Sequence, residues 1–276
     1  RGLLRNPDAE VRAQTLKALG DLRDSASGTA FTAALTDENP RVRYFAAEAL
    51  GKIKQAAATP ALFTAVRANN DTDAYLRHAL VIALSRCATA EQLSATVSDE
   101  SPAVRLAAVL ALRRQGSAEV VKFLADANPL IAREAVEAIN DAPITAAYPA
   151  IAALIAQPVA DEAVVLRVLN ANFRLGTAEN AAALAAFAAS GAAPTLRKEA
   201  LDLLALWPAP PARDRIVGIC RPLAEKSRPA EVAATALAPK LAEIFAAHTP
   251  DIVQVSAIDA VATLKITAAY PALHAV

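Results

Sequence analysis

Aromatic residues, glycine and methionine are scarce in this chain of 276 residues. Aromatics make up 4% of the sequence, with 1 Trp, and there are 8 Gly and no Met. The hydrophobic fraction is still 55%, so Ala, Leu and Val supply most of the apolar content. Ala and Leu are among the strongest helix formers, and Gly is among the weakest. This composition predicts a nearly all-helical protein.

Neither sign of charge is in excess, because 28 basic residues balance 28 acidic ones. Proteins that coat DNA or RNA carry more Lys and Arg than Asp and Glu on at least one face. The balance gives no general electrostatic support for such binding. We therefore expect no nucleic-acid partner.

A long apolar run without proline is also missing. The longest uncharged stretch near the middle, residues 142–160, contains Pro143, Pro149 and Pro158. Three prolines suit a loop–helix–loop better than a membrane span, and we expect no span in this segment. The first ten residues hold no apolar signal-peptide core. The absence of Met favours a fragment of a longer polypeptide, whose flanking segments we expect to cover both ends.

Histidine and cysteine are too few and too dispersed for a recognisable metal or catalytic site. His78, His248 and His274 share no metal-ligand spacing with Cys, Asp or Glu. Cys87 and Cys220 are expected to be free thiols, buried rather than reactive. There is no Gly-rich phosphate loop, nucleophile elbow or HExxH motif. We therefore assign no catalytic, metal-binding or cofactor-binding residue and predict that this segment is not an enzyme.

An internal repeat organises the sequence. The octapeptide ITAAYPAI at 144–151 returns as ITAAYPAL at 266–273, and it contains no acid, base, thiol or metal ligand. A repeated structural unit explains it better than a catalytic motif, with Tyr-Pro at the start of a helix. Stretches that open on a turn residue and Pro, followed by apolar residues at helical spacing, recur at 6–20, 39–51, 101–116 and 193–207. We expect Gly20, Gly51 and Gly116 to end their helices.

A spacing of six residues from Asp to Arg marks the repeat more sharply. It relates Asp37 to Arg43, Asp71 to Arg77, Asp99 to Arg105, and Asp161 to Arg167. We call the first residue of each spacing an anchor; Asn6 and Asp126 occupy the same place in their units. Successive anchors at 6, 37, 71, 99, 126 and 161 lie 27–35 residues apart. Each step has room for two helices of about 10–15 residues and two short turns. We therefore predict an all-α fold, an α-solenoid of stacked helix pairs.

The Asp-x5-Arg marker with an intervening Pro, followed by A-x-x-A-L-G, resembles HEAT repeats of the short bacterial type. The resemblance implies that these Asp and Arg side chains bond within and between neighbouring units, as a ladder along the stack. A carboxylate in the turn can accept N–H groups at the start of the second helix, and the Arg can reach that carboxylate. A catalytic pair would occur once, whereas these pairs recur, which favours a structural role.

A narrower resemblance covers residues 170–228. The stretches RLG-x-x-EN-x-A-x-L at Arg174–Leu184 and RDR-x-x-G-x-x-RPL at Arg213–Leu223 are similar to the HEAT region of multidomain sorbosone dehydrogenase-like proteins of planctomycete and verrucomicrobia type. In these proteins a propeller precedes the HEAT array and a c-type haem domain follows it. The resemblance implies a spacer between the two, and a periplasmic or cell-envelope location. No Cys-x-x-Cys-His is present, so no haem ligand or dehydrogenase residue is carried over.

The repeat is interrupted at residues 208–228, which include 4 prolines. We therefore expect regular repeats over 1–207, an insert over 208–228, and further helices over 229–276. Trp207 and four basic residues of the insert form a candidate docking patch: Arg213, Arg215, Arg221 and Arg228. The alternative is a structural kink, in which Trp207 covers the core where stacking is interrupted.

Two functions from different classes are compatible with these patterns. The first is a non-catalytic scaffold whose partners are flanking domains of the same chain or another protein, with Tyr44, Glu48, His78 and Arg113 as candidate contact residues. The second is a HEAT-like solenoid enzyme such as a bilin lyase or DNA glycosylase. A glycosylase would need a basic, aromatic-bearing groove, and a lyase an acidic, aromatic-lined pocket. We favour the scaffold.

Overall fold

The computed structural model describes residues 1–225 and 227–267. Across these residues the chain is helical, and its only extended pairing is an isolated antiparallel bridge between Arg213 and Cys220. The chain divides into two compact units, Arg1–Ile144 and Thr145–Val276. The segment 208–228 lies within the second unit.

The first unit is a stack of helix pairs. Its α-helices are α1 (Ala9–Asp21), α2 (Gly28–Ala33), α3 (Pro40–Ile53), α4 (Thr59–Asn69), α5 (Ala74–Cys87), α6 (Ala90–Ser94), α7 (Pro102–Gln115) and α8 (Pro129–Asp141). The second helices pack in sequence, α1 on α3, α3 on α5, α5 on α7 and α7 on α8. The first helices α2, α4 and α6 each pack against the second helix that follows.

The second unit continues with helix pairs up to an interruption. Its α-helices are α9 (Tyr148–Ala152), α10 (Glu162–Leu175), α11 (Ala178–Ala189), α12 (Pro194–Ala205), α13 (Ala230–Leu237), α14 (Leu241–Ile244) and α15 (Asp251–Leu264). A 3-10 turn at Ala238–Lys240, which contains Pro239, separates α13 from α14. No helix among the described residues of either unit has the length and apolar character to cross a bilayer.

Local capping fixes where the second helices of the first unit begin. Their N-cap side chains each accept an N–H of the first turn, namely Asp8, Asn39, Asp73, Ser101 and Asn128. Pro follows the cap in α3, α7 and α8, at a position whose missing N–H has no helical partner anyway. Turn residue and Pro together therefore begin these helices, as the sequence predicts.

Three of the first helices, α2, α6 and α9, are shorter than predicted, and 3-10 turns flank them. In the second unit, Thr145–Ala147 is a 3-10 turn, α9 starts at Tyr148-Pro149, and Ala153–Ala156 is again 3-10. This confirms that the first ITAAYPA copy enters a helix at Tyr-Pro. The second copy falls largely on residues 268–276, outside the described residues.

The prediction that Gly20 and Gly51 end their helices is wrong. Both lie inside helices, and an added Cβ on Gly20 would sit 2.9 Å from the Cβ of Ala49. On Gly51 it would sit 3.1 Å from the Cα of Ala83. These glycines therefore allow successive second helices to approach closely. Gly116 does end α7, with a φ of +65° that glycine adopts without strain.

Leucine and alanine fill both cores. In the first unit the largest fully buried side chains are Phe, Leu or Ile, among them Phe31, Leu50, Phe123 and Ile139. In the second unit a continuous cluster runs from α10 through α12 to α15 and contains Trp207. Each unit is thus an α-solenoid of stacked helices, in agreement with the all-α prediction and its 27–35-residue period.

Candidate functional site

Asp–Arg pairs between successive turns form at two points of the first unit, and in both the Arg side chain uses two sets of donors. The Nε and Nη2 of Arg12 donate to the two carboxylate oxygens of Asp37, both at 2.9 Å. Those of Arg105 donate to Asp126 at 2.8 and 3.1 Å. Burial alone would raise the pKa of Asp37, but its bonds with Arg12 and a backbone N–H hold that pKa below the ordinary value. In both pairs the Arg belongs to the preceding unit.

The remaining Nη1 donors bind the backbone of their own turn. Arg43 Nη1 donates to the carbonyls of Asp37 and Glu38 at 2.8 and 3.0 Å. Arg105 Nη1 donates to the Asp99 carbonyl at 2.6 Å. The six-residue spacing therefore places the Arg against the main chain of its Asp, not against the carboxylate. Asp71 and Arg77 do form a direct side-chain ion pair, at 3.7 Å.

The anchor carboxylates do not cap the second helices directly. Asp37 accepts the N–H of Asn39 at 2.9 Å, and Asp99 accepts that of Ser101 at 2.9 Å. The residue two places on then caps the helix. Asp161 departs from this register because it is itself the N-cap of α10, bonded to the N–H groups of Ala163 and Val164. Asp161 and Arg167 match the sequence spacing but are not at the ladder positions.

A second feature of the first unit is a groove of about 540 Å³ between α5 and α7, which we call the cationic groove. Four basic side chains line it, together with an apolar floor: Arg77, His78, Arg113, Arg114, Ala74, Val81, Leu110 and Ala142. No carboxylate is among the described lining residues, although Glu134 lies near enough to Arg113 for this guanidinium to lower the Glu134 pKa in part. Among the described residues only Arg77 of the four has an ion-pair partner, Asp71. The groove therefore presents positive charge beside an apolar surface.

The structure brings together two of the four contact residues predicted from the sequence. His78 and Arg113 share the cationic groove. The other two lie on α3 and serve local contacts: Glu48 pairs with Lys52 at 2.9 Å, and Tyr44 packs edge-on against Phe45 at 5.1 Å. Arg114 was missed, although it adjoins Arg113 in the sequence.

In the second unit, Trp207 is buried and not available as a docking anchor. Its exposed fraction is 1%, and its ring packs edge-on against Phe173. The Arg228 guanidinium lies 5.0 Å from the Trp207 ring centroid and donates to the Phe173 carbonyl at 2.5 Å. Gly176 has a φ of +72°, and any Cβ there would collide with Arg228. The indole of Trp207 covers the core of this unit, as in the alternative in which residues 208–228 form a structural kink.

A buried carboxylate, which the sequence reasoning did not single out, holds the insert. Asp214 has a fully buried side chain that pairs with Arg174 at 3.3 Å and with Arg221. It accepts backbone N–H groups of Ile216 and Val217 at 2.9 and 3.0 Å. The two motifs of the narrower resemblance thus meet in space. Their Arg and Asp residues fasten 208–228 onto α10.

The other predicted docking residues are partly used inside the unit. Arg215 forms a fork with Glu199, with its Nε 2.7 Å from a carboxylate oxygen, and lies 3.3 Å from Asp202. Arg221 side-chain exposure is 11%. Arg213 is exposed and donates to the Gly218 carbonyl. Because Trp207, Arg215 and Arg221 make their contacts inside the unit, the residues of the predicted patch hold the insert in place and do not form an open docking surface.

The two cysteines differ in environment, contrary to the expectation that both are buried. Cys87 is buried, while Cys220 is exposed, and both are free thiols. Burial raises the pKa of Cys87 to about 11, and only the thiolate is nucleophilic. We expect Ellman's reagent at pH 8 to titrate one thiol in the native chain and two after denaturation. Cys220→Ser should abolish the native reaction and Cys87→Ser should preserve it; the reverse pattern would contradict the assignment.

No cluster of three or more His, Cys, Asp or Glu side chains suited to a metal ion occurs within the described ranges. The class defined by this geometry is an α-solenoid built from stacked helix pairs. Residues 2–85 match the family model for HEAT repeats, so this part of the chain is similar to HEAT repeats. No curated protein matches the chain significantly.

Several solved structures resemble the chain at low identity. An engineered protein from the Northeast Structural Genomics Consortium is 17% identical, over 98% of this chain and 80% of its own, with a TM-score of 0.46. The CpcE–CpcF complex of phycocyanin lyase from Nostoc sp. PCC7120 is 22% identical over 74% and 85%, with a TM-score of 0.38. Human deoxyhypusine hydroxylase in complex with glycerol is 19% identical over 94% and 92%, with a TM-score of 0.34.

Proposed function

We propose that this chain is a non-catalytic HEAT-type scaffold segment whose cationic groove binds an acidic segment of a partner protein. The observation that supports the proposal is the grouping of Arg77, His78, Arg113 and Arg114 in one groove of a chain with no net charge. Charge of one sign in a cleft steers and selects partners of the opposite sign. Val81 and Leu110 add an apolar surface for a Leu-like side chain between the partner's carboxylates.

A more specific form of the proposal names flanking domains as the partners. The resemblance of residues 170–228 implies a spacer between a sorbosone dehydrogenase-like propeller and a c-type haem domain, with no cofactor in this segment. The structures compared above include neither of these domains. The scaffold proposal therefore depends on the groove and not on that placement.

The proposal predicts that charge reversal in the groove weakens binding of an acidic peptide. We expect a fluorescein-labelled peptide that alternates Glu with Leu to bind, as measured by anisotropy. Arg113→Glu combined with Arg114→Glu should raise its dissociation constant at least about tenfold, because both charges that face the peptide carboxylates are inverted. Added salt should weaken binding to the unmodified chain.

A matched control reverses two Arg charges elsewhere in the unit. Arg5 and Arg23 are exposed, and no ion pair involves either of them among the described residues. The pair Arg5→Glu with Arg23→Glu should leave the dissociation constant within about twofold of the unmodified chain. If both double variants weakened binding equally, the effect would come from the net charge of the chain and not from the groove. An unchanged dissociation constant in the groove variant would also overturn the proposal.

A further inference from the structure

Arg43 of the Asp–Arg ladder has no carboxylate partner among the described residues. Arg12, Arg43 and Arg105 each follow the N-cap of their helix by four residues, and each donates through Nη1 to the carbonyls of its own turn. Arg12 and Arg105 also direct Nε and Nη2 to a carboxylate of the following unit. Arg43 has no such ion pair in the part of the chain that the structure describes. Its guanidinium fork remains without an acid.

The missing carboxylate is that of Asp71, which the repeat spacing places in the following turn. Asp71 instead pairs with Arg77 of its own turn, at 3.7 Å. The backbone explains the change, since Asn70 and Asp71 both have positive φ values, 41° and 59°. This left-handed conformation is unfavourable for residues with a Cβ, and two in succession alter the course of the turn. The interaction between units is replaced by one within a turn.

Arg43 lines a cavity of about 560 Å³, which we call the Arg43 cavity. Its apolar wall comes from α4 and α5 and includes Ala61, Ala65, Ala68 and Leu76. The volume falls within the range of small-molecule sites, which are concave and mostly apolar with a few placed polar groups. Arg43 supplies such a polar group.

The surrounding acids favour a ligand with a single negative charge. Asp37 and Asp73 also line the cavity. Both already hold donors: Asp37 is bound by Arg12 and the Asn39 N–H, and Asp73 by the N–H groups of Tyr75 and Leu76. Their residual charge would repel a phosphate dianion more than a monoanion. A planar carboxylate also fits the Arg fork, as the Asp37 and Asp126 contacts of its counterparts show.

We propose that the Arg43 cavity binds a small monocarboxylic acid, whose carboxylate bridges Nε and Nη2 of Arg43 and whose apolar body lies against Ala65, Ala68 and Leu76. The ligand carboxylate would occupy the place that Asp37 and Asp126 take for Arg12 and Arg105. This site lies outside the cationic groove, and the proposal is independent of the acidic-segment function. No bond forms or breaks in it.

The test uses butyrate, octanoate and phenylbutyrate as probes, with chemical shift changes of backbone amides followed by NMR on the whole chain. We expect at least one acid to saturate shifts in α3 and α4 with a dissociation constant on the order of 0.1–1 mM. The matching primary amide should bind about tenfold more weakly, because it lacks the charge that the Arg43 fork recognises. Absence of saturation for all three acids would overturn the proposal.

Two variants separate ligand binding from folding. Arg43→Gln should raise the dissociation constant about tenfold, whereas Arg41→Gln, an exposed change on the same helix, should leave it unchanged. Ala65→Trp fills the cavity from α4 without altering Arg43, and should abolish the shifts while the far-ultraviolet circular dichroism stays native. Equal binding of acid and amide, equal losses in the two Arg variants, or undiminished binding by Ala65→Trp would each contradict the site.

Discussion

Asp214→Ala is expected to lower the free energy of unfolding of the second unit by about 3–5 kcal/mol, the range seen when one partner of a buried ion pair is removed. The side chain of Asp214 is fully buried, and two guanidinium groups, those of Arg174 and Arg221, bond to it. Its removal takes the Asp214 carboxylate away from both guanidinium groups in a largely buried site. Urea unfolding followed by the fluorescence of Trp207, the sole Trp, measures the change.

The same prediction has a defined pH dependence. Burial alone would raise the pKa of Asp214, but the N–H of Val217 and the bond with Arg221 outweigh burial and hold that pKa below the ordinary 3.8. A carboxyl with a depressed folded pKa contributes stability above its unfolded pKa, and loses that contribution as the pH falls through the folded value. The difference between the unmodified chain and Asp214→Ala should be full at neutral pH and shrink below 3.8.

Glu179→Ala supplies the control, since Glu179 is an exposed acid in the first turn of α11. We expect only a small change of the urea midpoint for Glu179→Ala, because its removal leaves no buried charge without a partner. If Asp214→Ala destabilised the unit no more than Glu179→Ala, the insert would not be fastened by this carboxylate. A pH-independent difference between pH 7 and pH 2 would likewise count against the assignment.

Local signals in the sequence were enough to predict the helix pairs. Cap residue, Pro and apolar spacing all act within one helix, so α3 and α7 begin where the sequence indicates. The glycines were misread because their role is set by a neighbour far along the chain. Gly20 meets Ala49 and Gly51 meets Ala83, about 30 residues away, which no local helix-stop signal reports.

The functional residues likewise divide into those that local sequence signals indicate and those that depend on contacts with distant residues. His78 and Arg113 were predicted from their positions on the second helices, and they share a groove because those helices pack side by side. Asp214 was missed because its partners lie 40 residues earlier and 7 residues later. The two quoted motifs did contain both sides of this contact, but periodicity gives no information on pairing between a helix and an irregular insert. Trp207 could be placed at the interruption, whereas its burial needed the Arg228 and Phe173 contacts.

Asp126→Ala should lower the free energy of unfolding by about 2–3 kcal/mol. The substitution removes both carboxylate acceptors of the Arg105 guanidinium, and it also removes the acceptor of the Asn128 N–H. The Asp126 side chain is 2% exposed and that of Arg105 13%, so water replaces the lost bonds only in part. Urea unfolding followed by far-ultraviolet circular dichroism measures the change. Trp207 fluorescence, which reports on the second unit, provides a reference in the same samples.

Asp71→Ala is the matched control for the ladder, because it removes the same chemical group from the equivalent anchor. The Asp71–Arg77 pair is longer, 3.7 Å, and its side chains are 34% and 37% exposed. Exposed pairs of this kind contribute under about 1 kcal/mol. A large loss for Asp126 with a small one for Asp71 would show that stability resides in the interactions between units. Equal losses would show that each turn is stabilised by its own contacts. The lack of a carboxylate partner at Arg43 would then not mark it as different from the other Arg residues.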